Sequence, residues 1–212
     1  DVERLVGRIG FGNANARDLV ALKRTLQRIP QIRSRLLWVQ SARLQALRDA
    51  LDPCVEVVSL IDRAIVDDPP ILLREGGLIK PGYHEELDRL RRAEEEGRRW
   101  LAELEQRERA RTGIDSLRVR YNEIFGFFIE VPRSKANQVP ADYERRATIT
   151  HAERFVTPEL KARETQILAT RERIEDLEYE LFVEIRGKVA EHIERLQGVA
   201  RHLAELDVYQ AL

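Results

Sequence analysis

The chain has 212 residues, enough for one large or two small domains; 43% apolar content supports a folded core, while only 6% aromatic residues argues against a thick globular one. Charged residues reach 34%, against about 25% in an ordinary domain, yet net charge is only −1, so no global basic field exists and any nucleic-acid contact must be local. The single cysteine, Cys54, excludes an internal disulfide framework and a cysteine-based zinc site, and is expected as a reduced, half-buried thiol beside Pro53.

The opening segment holds two helical patterns split by GFGNAN. Val2, Leu5, Val6 and Ile9 share one face of the first. Asn15 is placed to cap a second helix through Leu19, Leu22 and Leu26, with Asp18 at its third position, where the positive end of the helix favours an acid. A third helix is expected from Pro30 to Leu51, and a fourth from Cys54 to Ile65 after the Asp52-Pro53 break. Pro69-Pro70, Gly76-Gly77 and Pro81-Gly82 then mark a connector.

From His84 the signal becomes strongly helical, with Leu87, Leu90, Gly97, Leu101 and Leu104 on a near-heptad stripe interrupted by Glu94, Trp100 at its margin, and Gly113 ending the helix. A second long helix starts at Thr157-Pro158-Glu159, a cap, a first-turn proline and a first-turn acid. Its stripe runs Leu160, Ile167, Ile174, Leu177, Leu181, Ile185, Val189, Ile193, Leu196, Leu203 and Leu206. One unbroken helix of roughly 70 Å is predicted, against roughly 40 Å for the preceding arm. The two are expected to pair antiparallel, because neither buries its stripe alone.

Between them the period changes from helical to two. Leu117, Val119 and Tyr121 alternate with Arg118, Arg120 and Asn122; after Ile124-Phe125-Gly126, Phe127, Ile129 and Val131 alternate with Phe128 and Glu130. ERRATITH supplies a third strand, PRSKANQVPADY a loop, and three or four short strands are expected to close a thin core with Phe127, Tyr143 and Phe155. From Arg118 to Arg154, seven cations against five carboxylates leave +2. Those charges fit ordinary solvated strand faces as well as a weak phosphate-binding surface. Placement favours the second: Ser134-Lys135 and Arg145-Arg146 through His151 lie in or beside loops, where hydroxyls and cations reach phosphate oxygens without base edges.

YNEIFGFFIEVPRS followed by VPADYERRATITHAERFVTPELKARETQIL closely resembles the clamp region of the MutS family of bacterial mismatch-repair ATPases. DVERLVGRI with ARDLVALKRTL, and LAELDV near the end, resemble the root of that family's levers and the return of its second lever to the body, so the resemblance covers nearly the whole chain in order. It implies a mainly α fold with a small inserted β domain: a helical core and first lever helix over 1–113, a β-rich clamp over 114–156 and a second lever helix over 157–212. It also implies mismatch repair by a homodimer whose two clamps close on the backbone of double-stranded DNA without reading sequence, in the nucleoid-associated cytoplasm, with other repair proteins as further partners. Carried over residue by residue, the DNA-backbone contacts are Arg145, Arg146, Thr148, Thr150 and His151, with Ser134 and Lys135 matched more loosely. Thr150-His151 stands where the family usually has Lys-Asn, which removes a fixed charge.

The chain has no G-x-x-x-x-G-K-[ST] loop, since Gly187-Lys188 lacks the earlier glycine, and no Phe-x-Glu wedge. It is therefore expected to be no enzyme itself, to hold no cofactor or metal, and to be a fragment whose family carries ATP and Mg in another domain. Its start without Met and its end in LDVYQAL, mid-pattern for a helix, point the same way. His84, His192 and His202 lack metal-ligand spacing and are expected as surface helix residues. No apolar run approaches the ~20 residues of a membrane span, and the charged opening is no signal peptide. The rival class is a coiled-coil rod whose β end binds another protein.

Overall fold

The computed structural model describes residues 2–211 and divides into two compact units, one formed by residues 1–85 and 175–212, the other by residues 86–174. Helices dominate, and the only sheet among the described residues is a four-stranded antiparallel one inserted between two long helices.

In the first unit, α1 (Val2–Gly10) buries Leu5, Val6 and Ile9. Helix α2 (Ala16–Leu26) opens on a reciprocal cap: the Asp18 backbone N–H donates to the Asn15 side chain, and the Asn15 N–H donates to the Asp18 carboxylate, both at 2.9 Å. The expected third helix is two. Helix α3 (Ile29–Arg35) gives way to a turn that leaves Leu37 and Trp38 exposed, and α4 (Ala42–Ala50) starts after Ser41. No Gly or Pro marks this break. The Gln45 side chain instead donates to the Val39 carbonyl at 2.9 Å, satisfying backbone that a continuous helix would have used itself.

Helix α5 (Val55–Ala64) begins after Cys54, the only non-glycine residue with positive φ (43°) among those described. Its N–H donates to Asp52 at 2.8 Å, which holds the left-handed turn. Cys54 is fully buried, a correction to the half-buried expectation, and burial first, then the Asp52 charge, pushes its thiol up to about 11. At pH 7.5 the native thiol is therefore expected to resist iodoacetamide for hours and to be alkylated promptly once unfolded. Prompt alkylation of the native chain would contradict the burial.

The connector returns along α5 through an Ile65–Ile79 bridge, with the Val66 N–H donating to Leu78 O and the Lys80 N–H to Ala64 O. Buried Lys23 joins these pieces by bonds of 2.9 Å to Asp62 and 2.8 Å to Asp67. Helix α7 (Pro158–Ala190) and helix α8 (Ile193–Ala211) replace the single long helix expected. The chain turns at Glu191-His192, where the last bonds tighten to His192 N–H donating to Val189 O. Buried Val189 and Leu196 stand seven residues apart across the turn, so the apolar repeat runs through it unmarked. Helix α8 packs on α1 and α4, with Arg43 clasping Glu205 through two bonds of 2.6 Å. No described helix is long and apolar enough to cross a membrane.

In the second unit, α6 (Glu85–Thr112) and the first half of α7 run antiparallel. Arg107 pairs with Glu159, Arg163 lies over the Trp100 ring, and a Cβ on Gly97 would stand 3.2 Å from Ile167, so numbers rise along one helix as they fall along the other. Gly97 is thus the close-approach point of the seam. Gly113 (φ 70°) ends α6, and Thr157 caps α7, its hydroxyl accepting from the Leu160 N–H at 3.2 Å. The strands are β1 (Arg118–Asn122), β2 (Gly126–Pro132), β3 (Glu144–Thr148) and β4 (Ala152–Val156), in spatial order β1-β2-β4-β3.

Candidate nucleic-acid interface

One face of the sheet closes the core of this unit. Leu117, Ile129, Val131, Tyr143 and Phe155 are buried with Leu104 of α6 and Leu160 of α7, and Phe127 packs partly buried against them. Carboxylates on the two helices reach the backbone and side chains of the sheet. Glu105 accepts from the Val119 N–H at 2.8 Å, Glu164 from the Phe127 N–H at 2.6 Å, and buried Glu108 from the Tyr143 hydroxyl at 2.7 Å. Burial, then the Glu108 partnership, drives the Tyr143 phenol well above its ordinary value. Arg111 adds two bonds to Asp142, at 2.6 and 3.0 Å, which hold that carboxyl below the usual range.

The other face is tied by charge. Arg154 lies 4.4 Å from the Phe128 ring centre and 3.6 Å from Glu130, which Arg120 also approaches at 3.4 Å. Phe128 is buried beneath this cover, although the alternation places it on the polar side.

Strand β3 is an edge, and the candidate residues lie on it and at one end of the sheet. Arg145 pairs across the sheet with Phe155 and Ala147 with Arg154, so Arg146 is the extra residue of a bulge, a device that re-aims side chains at sheet edges. Both arginines are exposed, and both sit within the strand, not in a loop. Exposed Thr148 ends β3; Ile149, Thr150 and His151 turn into β4, closed by the Ile149 N–H donating to Ala152 O at 2.9 Å. Ser134 and Lys135 fall in a short 3-10 turn (Arg133–Gln138). The Arg133 N–H donates to His151 O at 3.1 Å and so brings that turn against Thr150 and His151. Ser134, Thr150 and His151 are exposed and Lys135 half-buried. The structure thus gathers Ser134, Lys135, Thr148, Thr150 and His151 at one end, with Arg145 and Arg146 about 10 Å away along the same edge.

Glu153 escapes the reading of charges along the sequence. It is only 7% exposed, and its Oε2 lies 2.8 Å from Arg145 Nε. The available signal is its position two residues before Phe155, hence on the core side of β4.

Residues 82–173 match the model of MutS family domain IV, nearly the residues of the second unit. Over its whole length the chain is 49% identical to the DNA mismatch repair protein MutS of Brevibacillus brevis and 52% identical to that of Geobacillus thermodenitrificans, covering 25% and 23% of those proteins. Against the MutS of Symbiobacterium thermophilum, identity is 52% over 98% of the chain and 24% of the relative. The chain thus spans about a quarter of the length of the curated relatives it matches. The chain matches a fragment of MutS, the segment of those proteins that carries domain IV.

Proposed function

We propose that the chain serves DNA mismatch repair as the lever and clamp segment of a MutS-type protein, with its sheet edge resting on the sugar-phosphate backbone of duplex DNA. The observation that carries this is the exposed row on β3 and the turns beside it: Arg145, Arg146, Thr148, Thr150 and His151, joined by Ser134 and Lys135. Cations and hydroxyls on strand and turn backbone suit phosphate oxygens, and none of them needs a groove, so contact is independent of sequence. In the full-length protein, which acts as a homodimer in the nucleoid-associated cytoplasm and meets other repair proteins, α6 and α7 transmit between the DNA and an ATPase domain that binds ATP and Mg. The chain itself performs no catalysis.

The test is a salt titration of duplex binding, by the chain alone and fused to a dimerising module, because pairing two weak sites raises avidity by about 10²–10⁴. Three fixed cations predict a slope of log K against log salt of about −3. Arg146→Gln weakens matched and mismatched duplexes alike and flattens the slope by about one. A loss confined to mismatched duplex, or no binding by either form, contradicts the proposal. Exposed Ile124 and Phe125 at the β1–β2 turn favour a second reading, a protein-binding module. Weak salt dependence and indifference to competitor duplex would select it.

A further inference from the structure

Arg145 has two jobs available, and the geometry divides its guanidinium between them. Its Nε lies 2.8 Å from Glu153 Oε2 as an ion pair, an oxygen that accepts no hydrogen bond, and the group lies 5.9 Å from the centre of the Phe155 ring. The Glu153 side chain is 9% exposed while that of Arg145 is 56% exposed. A carboxylate so buried requires a partner charge, so Arg145 is held from behind. A planar guanidinium paired by charge alone keeps its N–H groups, the two Nη groups among them, for another acceptor. A lysine at this position would offer a single point charge, and the buried carboxylate would capture it.

We propose that Glu153 is a positioning residue: its buried charge holds the Arg145 guanidinium in place so that the Nη pair is presented to a phosphate. This rests on the DNA reading above, and the closing experiment separates the two. It compares Arg145→Lys, Glu153→Gln, the double variant, and Arg146→Gln as a control on the same edge, using the chain alone and fused to a dimerising module. Fluorescence anisotropy follows duplex binding, and the Arg145 Nε–H resonance is followed without DNA.

Arg145→Lys is expected to lose roughly tenfold in affinity, the value of one charge-assisted hydrogen bond. Glu153→Gln is expected to lose about threefold although it removes a negative charge, because the arginine must then be ordered on binding. The sign decides: if Glu153 were only a counter-charge, Glu153→Gln would bind more tightly. The double variant is expected to bind at least about threefold better than Arg145→Lys, since the freed ammonium can turn to the phosphate. That gain cannot come from impaired folding. The Arg145 Nε–H should become more mobile in Glu153→Gln, read as a lower NMR order parameter.

Arg145→Lys binding as well as the parent, tighter binding by Glu153→Gln, or an unchanged Nε–H would each overturn the inference while Arg146→Gln still weakened binding. Absence of duplex binding, or an Arg146→Gln variant with an unaltered salt slope, would overturn the DNA reading itself, and the Nε–H measurement would still judge the Arg145–Glu153 pair.

Discussion

Replacing Gly126 with alanine is expected to destabilise the sheet-bearing unit by about 2–5 kcal/mol. Gly126 opens β2 at φ 72°, a left-handed conformation that costs a side-chain-bearing residue about 1–2 kcal/mol. A Cβ there would also stand 1.9 Å from Glu164 Oε1. The carboxylate can swing aside, but it is the acceptor for the Phe127 N–H at 2.6 Å, and the lost bond costs about 1–3 kcal/mol more. A non-additive pattern follows. Glu164→Ala alone loses the same bond, so Gly126→Ala with Glu164→Ala should cost no more than Gly126→Ala alone. Urea unfolding followed by Trp100 fluorescence measures this, because Trp100 lies beside Arg163 in the α6–α7 seam; Trp38 is first changed to Phe to silence the other unit. Additive losses would mean that the Glu164 carboxylate is not what Gly126 accommodates.

Local rules made much of this fold legible. The Asn15–Asp18 cap, the Thr157-Pro158 start and the Gly113 stop all act over one helical turn, and each stands where the residues placed it. Alternation gave the inward face of the sheet through Ile129 and Val131. What escaped depends on tertiary partners. The α3–α4 break rests on Gln45 taking a carbonyl, and the α7–α8 turn hides inside an unbroken apolar repeat. The candidate edge was legible as residue types, and the structure adds that the 3-10 turn and the β3–β4 turn share one end of the sheet through the Arg133–His151 bond. Glu105, Glu108, Glu153 and Glu164 were the harder residues. In a chain so rich in Glu and Arg, a carboxylate that holds a backbone or side-chain partner looks the same in sequence as one that faces water.

Glu178 is the extreme case and carries the other large expected effect: Glu178→Ala should destabilise the first unit by about 3 kcal/mol. The residue lies in α7 between Leu177 and Leu181 of the apolar stripe and is fully buried. Its oxygens face the N–H groups of Leu78 and Ile79 at 3.4 and 3.5 Å, and a Cβ on Gly76 (φ 75°) would stand 3.3 Å from one of them, so the connector wraps the carboxylate closely. An emptied volume and two amides deprived of this acceptor are separable causes of instability, and Glu178→Leu distinguishes them. Leucine refills the space and removes a buried charge, a replacement that is neutral or favourable where only packing matters. If the acceptor matters, Glu178→Leu stays within about 1 kcal/mol of Glu178→Ala, and Glu178→Gln, which keeps one carbonyl oxygen, falls between it and the parent. Hydrogen exchange locates the damage: the Leu78 and Ile79 amides should lose protection in both the Ala and Leu variants while those of α2 keep theirs. Full recovery of stability and protection in Glu178→Leu would show that the carboxylate fills space and that the connector holds its course without it.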